Sequence, residues 1–389
     1  MRHRSGTADG RGRSRRRLLS WIALGLAGTL LLLGGGAYAA YLHYDGLITR
    51  IAIPSLGRSS PSAQSAGPAT VQTGEYFLIA GSDTRAFAGG SAFQASAGSA
   101  DYVSGQRSDT VILIHIPAGT AKATILSFPR DSYVEIPTYT SSTGVVTPAH
   151  MAKLNEAFAL GGPALLVQLI RNLTGLPVDH YLQVDFAGFR NIVNAVGGVS
   201  LCVGTTRSDA DSGDYLTAGT HGHVTGDQAL AFVRDRKGLA AGDIARIKDQ
   251  QYFLSQVMKK VLSAGTLSNP LTLHALLSAV TKDLTVDSGF GLTQISTLAG
   301  RLRSLDPAHV TFLTLPITND NGSRVIHGLT QSVVLLDSTK TPDTFRALAG
   351  QGARSAAPSP SASGAATPSP TATAGTVTSE SAAASTCAP

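Results

Sequence analysis

Between Leu18 and Leu42 the chain carries no Asp, Glu, Lys or Arg, and the run follows directly on Arg15, Arg16 and Arg17. As a helix, roughly 25 such residues are long enough to cross a hydrocarbon core of about 30 Å. Lys and Arg stay on the cytoplasmic side, so the N-terminus is expected inside and everything after His43 outside, in a single pass through the cell membrane. A cleaved signal peptide is the competing reading, because Ala37-Tyr38-Ala39 fits the pattern of a cleavage site. Both readings place the body of the chain outside the cytoplasm.

That placement changes what the charge balance means. Residues 1–17 hold seven Arg and one Asp, which equals the +6 of the whole 389-residue chain, and the other 372 residues balance at 24 basic against 24 acidic. A broadly basic nucleic-acid-binding domain is therefore excluded, and no nucleic-acid partner is expected. An inside segment of 17 residues is also too short for a folded DNA-binding domain. Two cysteines, Cys202 and Cys387, exclude a disulfide scaffold and a Cys-based zinc site. Cys202 lies in an apolar strand pattern and reads as a small buried hydrophobe.

Composition divides the rest. Residues 1–17 form a basic cytoplasmic tail and 18–42 the transmembrane helix, while 43–73, rich in Ser, Pro, Ala and Gly, reads as a linker. Residues 349–389 are rich in Ser, Pro, Ala and Thr and carry one Arg and one Glu, too little apolar surface to offset ordering entropy. What remains, 74–348, is one folded domain with no solenoid repeat. Strands are expected at 76–80, 111–116, 124–128, 181–186, 199–203 and 310–315. Helices are expected at 155–173, at 187–196 before Gly197-Gly198, from the Thr225/Gln228 capping box to 233, from beyond Asp243 to 263, and over 270–282 and 289–304. Several strands lack polar alternation, so both faces should be covered. The fold class is α/β, a layered α/β/α domain with a central mixed sheet.

The sequence lacks G-x-S-x-G, H-E-x-x-H, G-x-x-x-x-G-K-[ST] and G-x-G-x-x-G. His221 and His223 in a Gly-rich stretch read as a solvated loop. Charge instead gathers at the ends of elements. The first strand runs into Gly81-Ser82-Asp83-Thr84-Arg85, the second is entered through Arg107-Ser108-Asp109-Thr110, and the third ends at Pro129-Arg130-Asp131. Ligands of open α/β sheets collect at the carboxyl ends of strands, which places Asp83 where a site would be. A second cluster is Arg234-Asp235-Arg236 with Arg246 and Gln250, the last two four apart on one helix face. A chain only 14% charged has concentrated its arginines here.

Arg forks bind phosphate oxygens bidentately, and paired carboxylates hold Mg²⁺ or Mn²⁺, cations that bridge diphosphate oxygens. Phosphoryl transfer asks a protein mainly for positioning and charge stabilisation, so the lack of an activated nucleophile is no obstacle. The segments Phe77 to Arg85, Arg107 to Thr110, Leu126 to Asp131, Lys153 to Asn155, Gly161-Gly162, Asp179 to Tyr181, Gly197 to Val199, Gly226 to Leu230 and Val233 to Arg236, in this order, resemble the LytR-CpsA-Psr family. The resemblance implies a membrane-anchored extracytoplasmic phosphotransferase. It would move a glycopolymer phosphate from an undecaprenyl-diphosphate carrier to peptidoglycan with a divalent cation. It also implies that Asp83 and Asp109 are metal-associated and that Arg107, Arg130, Arg234, Arg236, Arg246 and Gln250 serve the diphosphate, with Lys153 beside them. Asp131 and Asp235 are candidates for the general base, and Asp249, where many relatives carry Arg, has no assigned role. A non-catalytic envelope protein that binds anionic or lipid-linked glycans, or a polyprenyl-diphosphate diphosphatase, is the alternative.

Overall fold

The computed structural model describes residues 35, 36, 38–54, 56, 74–82, 108–141, 143–235, 242–263, 269–303, 305, 307–350, 380, 381 and 387. Asp83, Arg107, Arg236 and most of the apolar run 18–42 lie outside them; among the described residues, no helix is long and apolar enough to cross a membrane. The chain divides into two units after Leu47, and the first contains a helix over 38–47.

The second unit is an α/β fold on a central mixed sheet of eight strands: β1 (Thr49–Ile51), β2 (Gly74–Ser82), β3 (Ser108–Pro117), β4 (Ala123–Phe128), β9 (His180–Asp185), β12 (Leu284–Asp287), β13 (Val310–Thr314) and β16 (Glu380–Ser381). Their order across the sheet is β1-β12-β9-β2-β3-β4-β13-β16. Four two-stranded ribbons accompany it: β5 (Tyr133–Ile136) with β8 (His150–Lys153), β6 (Tyr139–Thr140) with β7 (Val146–Thr147), β10 (Val199–Val203) with β11 (Gly219–Val224), and β14 (Ile317–Ile326) with β15 (Leu329–Leu336). The described helices of this unit are α1 (Leu154–Thr174), α2 (Phe186–Ala195), α3 (Gly226–Arg234), α4 (Gly242–Leu262), α5 (Pro270–Asp283), α6 (Leu292–Arg303) and α7 (Thr341–Leu348).

Central strands have two apolar faces because each face has its own cover. Along β2, Tyr76, Leu78 and Ala80 join Val111, Leu113, Leu126 and Phe128 in one core, under Leu165, Leu166 and Leu169 of α1. The alternate residues Phe77, Ile79, Ile112, Ile114 and Ile125 turn to the other, where Leu254 and Met258 of α4 and Ile295, Leu298 and Leu302 of α6 pack. Each fully buried Leu or Ile contributes about 1.5–3 kcal/mol. A third core lies under the β10–β11 ribbon, where Val199, Leu201 and Val203 meet Val193 of α2, Phe232 of α3 and Phe253 of α4.

Local signals set the element ends. The Thr225/Gln228 capping box starts α3, with Thr225 N–H donating to Gln228 Oε1 at 3.0 Å. Helix α1 is two helices joined at Gly161-Gly162; Gly162 has φ 63° and ψ −155°, a conformation open essentially to glycine, and Pro163 follows as the helix restarts.

Both flanks reach further into the fold than composition predicts. The linker expected over 43–73 contains β1, which pairs in parallel with β12 and buries Ile48, Ile51 and Ile53. Glu380 and Ser381, in the expected unstructured tail, pair with β13 at the opposite edge. Cys202 is not a free buried hydrophobe but is disulfide-bonded to Cys387, with Cα atoms 4.6 Å apart. That bond ties a polar tail that has little apolar surface of its own to hold it in place.

Candidate active site

One cavity of about 670 Å³ gathers the strand ends and helices singled out above. The sheet contributes Ile79, Gly81 and Ser82 of β2, Asp109, Thr110 and Ile112 of β3, and Val184 and Asp185 of β9. Phe186 and Phe189 come from α2, Leu230, Val233 and Arg234 from α3, and Arg246, Gln250, Phe253 and Leu254 from α4. Arg130 enters from the turn after β4, and Asp209, Asp211 and Ser212 from the loop between β10 and β11. A largely hydrocarbon chamber thus carries three guanidinium groups and several carboxylates.

Backbone bonds fix Arg130 before its side chain does anything. The Asn155 N–H donates to Arg130 O at 3.0 Å and the Leu154 N–H to Ser132 O at 2.9 Å, so the start of α1 holds the turn. From there the Arg130 guanidinium forms an ion pair with Asp109 across from β3 and reaches Asp131 at 3.3 Å. Lys153 closes the chain on the far side of Asp131 at 3.4 Å. Asp131 and Lys153 therefore support Arg130 from outside the cavity lining.

On α2, the Asp185 carboxylate caps the helix by accepting from Gly188 N–H at 2.7 Å, which brings Phe186 into the chamber. The Arg234 guanidinium lies 4.6 Å above the Phe186 ring. Gln250 Nε2 donates to Val233 O at 3.2 Å and so ties α4 to the last turn of α3. Gly226 lets α3 close on α2, since a Cβ there would meet Arg190 O at 2.4 Å.

Five of the expected site residues, Asp109, Arg130, Arg234, Arg246 and Gln250, line this one cavity. Asp235 does not: it is fully buried and receives Arg207 Nη1 at 3.4 Å, which speaks against its taking a proton from an incoming hydroxyl. Other segments of the motif series are structural. Asp179 exchanges two bonds with Tyr76, Oδ2 accepting at 2.8 Å and N–H donating at 2.9 Å, and registers β9 against β2. Asp249 forms a buried fork with Arg207, at 2.6 and 3.0 Å. Burial pushes the Asp249 carboxyl up to about 6, against the downward pull of that guanidinium. Sequence reasoning passed over Arg207, Asp209 and Asp211, although Arg207-Ser-Asp-Ala-Asp-Ser-Gly-Asp214 is a dense charged run in a chain with few charges.

Among the described residues, no three His, Cys, Asp or Glu side chains come together as a metal cage. Of the two carboxylates expected to hold a cation, Asp109 lines the cavity in an ion pair with Arg130, and Asp83 lies outside the described residues.

The LytR_cpsA_psr family model matches residues 55–341. The cell wall biosynthesis protein LcpA of Corynebacterium glutamicum is 31% identical over 341 residues, which cover 83% of this chain and 64% of that relative. The chain thus spans just under two thirds of the length of that protein. The polyisoprenyl-teichoic acid–peptidoglycan teichoic acid transferase TagU of Bacillus anthracis is 30% identical over 281 residues, 72% of this chain and 82% of its own. In fold, the LytR-Csp2A-Psr enzyme from Actinomyces oris superposes with a TM-score of 0.55 at 24% identity, over 78% of this chain and 96% of that one. A family match across most of the folded body settles the assignment: the chain belongs to the LytR_cpsA_psr family.

Proposed function

We propose that this protein is an extracytoplasmic phosphotransferase that moves a glycopolymer phosphate from an undecaprenyl-diphosphate-linked precursor to peptidoglycan. The observation that carries the reading is the lining of one cavity by both Arg130, Arg234 and Arg246 and the apolar side chains Ile79, Ile112, Phe186, Phe189, Phe253 and Leu254. A ligand that satisfies both is an amphiphile with an anionic head and a hydrocarbon tail. Each buried methylene of a prenyl chain contributes about 0.8 kcal/mol, while guanidinium forks take the diphosphate oxygens. The name of the TagU relative, a polyisoprenyl-teichoic acid transferase, points to the same donor class.

In the transfer, an acceptor hydroxyl oxygen attacks the phosphorus that carries the glycan. The bond from that phosphorus to the bridging oxygen breaks, and polyprenyl phosphate departs with the electron pair and takes up the proton that the hydroxyl loses. Arg130, Arg234 and Arg246 stabilise the charge that grows on the leaving phosphate, and Phe186 keeps Arg234 in place from beneath. Lys153 and Asp131 hold Arg130. Mg²⁺ or Mn²⁺, held by Asp109 with Asp83, would neutralise diphosphate charge. The Cys202–Cys387 disulfide suits the oxidising side of a membrane, and the uncharged run 18–42 supplies the anchor.

The test incubates the purified protein with a glycan-diphosphate-polyprenol, Mg²⁺ and peptidoglycan fragments, following both polyprenyl phosphate and glycan joined to the fragments. Joined product is the expected result. Release without joining would make the protein a diphosphatase, and binding with neither product would make it a non-catalytic glycan-binding protein.

A further inference from the structure

Behind the cavity, Arg207 occupies a place that the transfer reaction itself does not explain. It comes from the loop between β10 and β11, is 1% exposed at its side chain, and has its backbone N–H pinned to Leu216 O at 2.8 Å. Its guanidinium lies 4.5 Å above the Phe232 ring of α3. Two nitrogens fork onto Asp249 of α4 at 2.6 and 3.0 Å, and Nη1 also reaches Asp235, the residue that caps the end of α3, at 3.4 Å.

The two carboxylates are in telling positions. Asp235 directly follows Arg234, and Asp249 lies one turn beyond Arg246 and directly before Gln250. Residues 236–241, which connect the two helices, lie outside the described residues, so Arg207 and the Gln250 bond to Val233 O are described links between the end of α3 and the first turns of α4. Burying charge is a poor route to stability, since apolar side chains of the same volume serve as well or better. What a planar fork between two carboxylates supplies is direction and distance.

We propose that Arg207 is a positioning residue: by clamping Asp235 and Asp249 it sets the spacing between Arg234 and the Arg246–Gln250 pair, and so shapes the seat for the diphosphate. This inference rests on the diphosphate-lipid reading above. It also gives Asp249 a role, as the partner that lets Arg207 act from behind the cavity rather than within it. Arg207 touches no reacting atom; it acts through the groups that do.

The experiment measures binding of two probes, geranylgeranyl diphosphate and the uncharged alcohol geranylgeraniol, to the full chain and to Arg207→Lys and Asp249→Asn. Both variants keep the volume of the buried group, and Lys keeps the charge without the fork. Wild type should prefer the diphosphate by about 10²-fold or more, and each variant should lose most of that preference while alcohol affinity stays within about twofold. In an Arg234→Ala/Arg246→Ala background, adding Arg207→Lys should cost the diphosphate nothing further, because the groups it positions are gone. An undiminished preference in Arg207→Lys would overturn the proposal. So would equal losses for both probes, the mark of a merely structural role, or an additive loss in the double-alanine background. A wild type with no preference between the probes would instead refute the diphosphate-lipid reading, and the clamp with it.

Discussion

Arg130 is held by two other stretches of the sequence, β3 and the junction of β8 with α1, and the phosphate role proposed for it depends on both. The start of α1 fixes its backbone, Asp109 pairs with its guanidinium, and Lys153 reaches it through Asp131. A group so constrained can stabilise a developing charge without reorganising at the moment of reaction. Replacing Arg130, Arg234 or Arg246 by Ala should lower turnover by about 10²-fold or more, with a smaller loss in donor binding, as read from kcat and KM for polyprenyl phosphate release. Equal losses in binding and turnover would mean that these groups grip the ground state alone. A second residue is expected to contribute to acid sensitivity. His115 is fully buried, stacked on Tyr76 at 4.2 Å, with Nδ1 2.8 Å from Leu348 O. Burial lowers its pKa, although the bond to Leu348 O and the nearby Asp179 carboxylate pull the other way. A folded-state pKa below the unfolded value of about 6.5 gives stability that is complete above that pH and drains away as pH falls beneath it. Thermal unfolding scans between pH 7 and pH 5 should therefore show a shallower decline in Tm for His115→Gln than for wild type, the difference being at most about 1.4 kcal/mol per pH unit. Parallel declines would assign the acid sensitivity elsewhere.

At the scale of elements, the backbone at Gly162 is the sharpest local demand. Its ψ of −155° at positive φ is a glycine conformation, so Gly162→Ala should cost about 1–3 kcal/mol in urea unfolding while leaving the capped helix α3 untouched. A variant as stable as wild type would show that the kink can rebuild. Much of this level was legible in the residues. The capping box marked α3, the two-faced apolar runs marked β2, β3 and β4, and the last turn of α2 stops at Gly197-Gly198 as expected. The β14–β15 hairpin escaped, although its signal is present: His327-Gly328 separates two pairing runs, and both residues have positive φ, as a two-residue I′ turn requires. Strand β11 had no such signal, because Gly219 to Val224 exposes most of its side chains and shows no apolar alternation. The site divides the same way. Arg130, Asp109, Arg234, Arg246 and Gln250 stood out as charge or pattern at element ends, and they meet in the cavity. Asp211 comes from the charged run Arg207 to Asp214, while Phe186 joins them through the approach of a helix start that no local pattern encodes.

For the whole molecule, the two edges of the sheet are closed by segments from the two ends of the folded body, β1 at one and β16 at the other. The second closure is reinforced by the disulfide between residues 185 apart in sequence. Cys387→Ser should lower stability by about 2–5 kcal/mol, measured by urea unfolding with and without reductant, and wild type in reductant should fall to the level of the variant. Insensitivity to reductant would show that the tail adds nothing to the fold. With its edges closed, the sheet presents the carboxyl ends of β2 and β9, the entry of β3 and the turn after β4 to helices α2, α3 and α4. In the proposed function this chamber takes a prenyl chain and a diphosphate together. A structure determined with a polyprenyl diphosphate bound tests it most directly. Phosphate oxygens should lie in hydrogen-bond contact with Arg130, Arg234 and Arg246, and the hydrocarbon between Phe186, Phe189, Phe253 and Leu254. A diphosphate bound away from these arginines, or a prenyl chain lying outside the cavity, would contradict it.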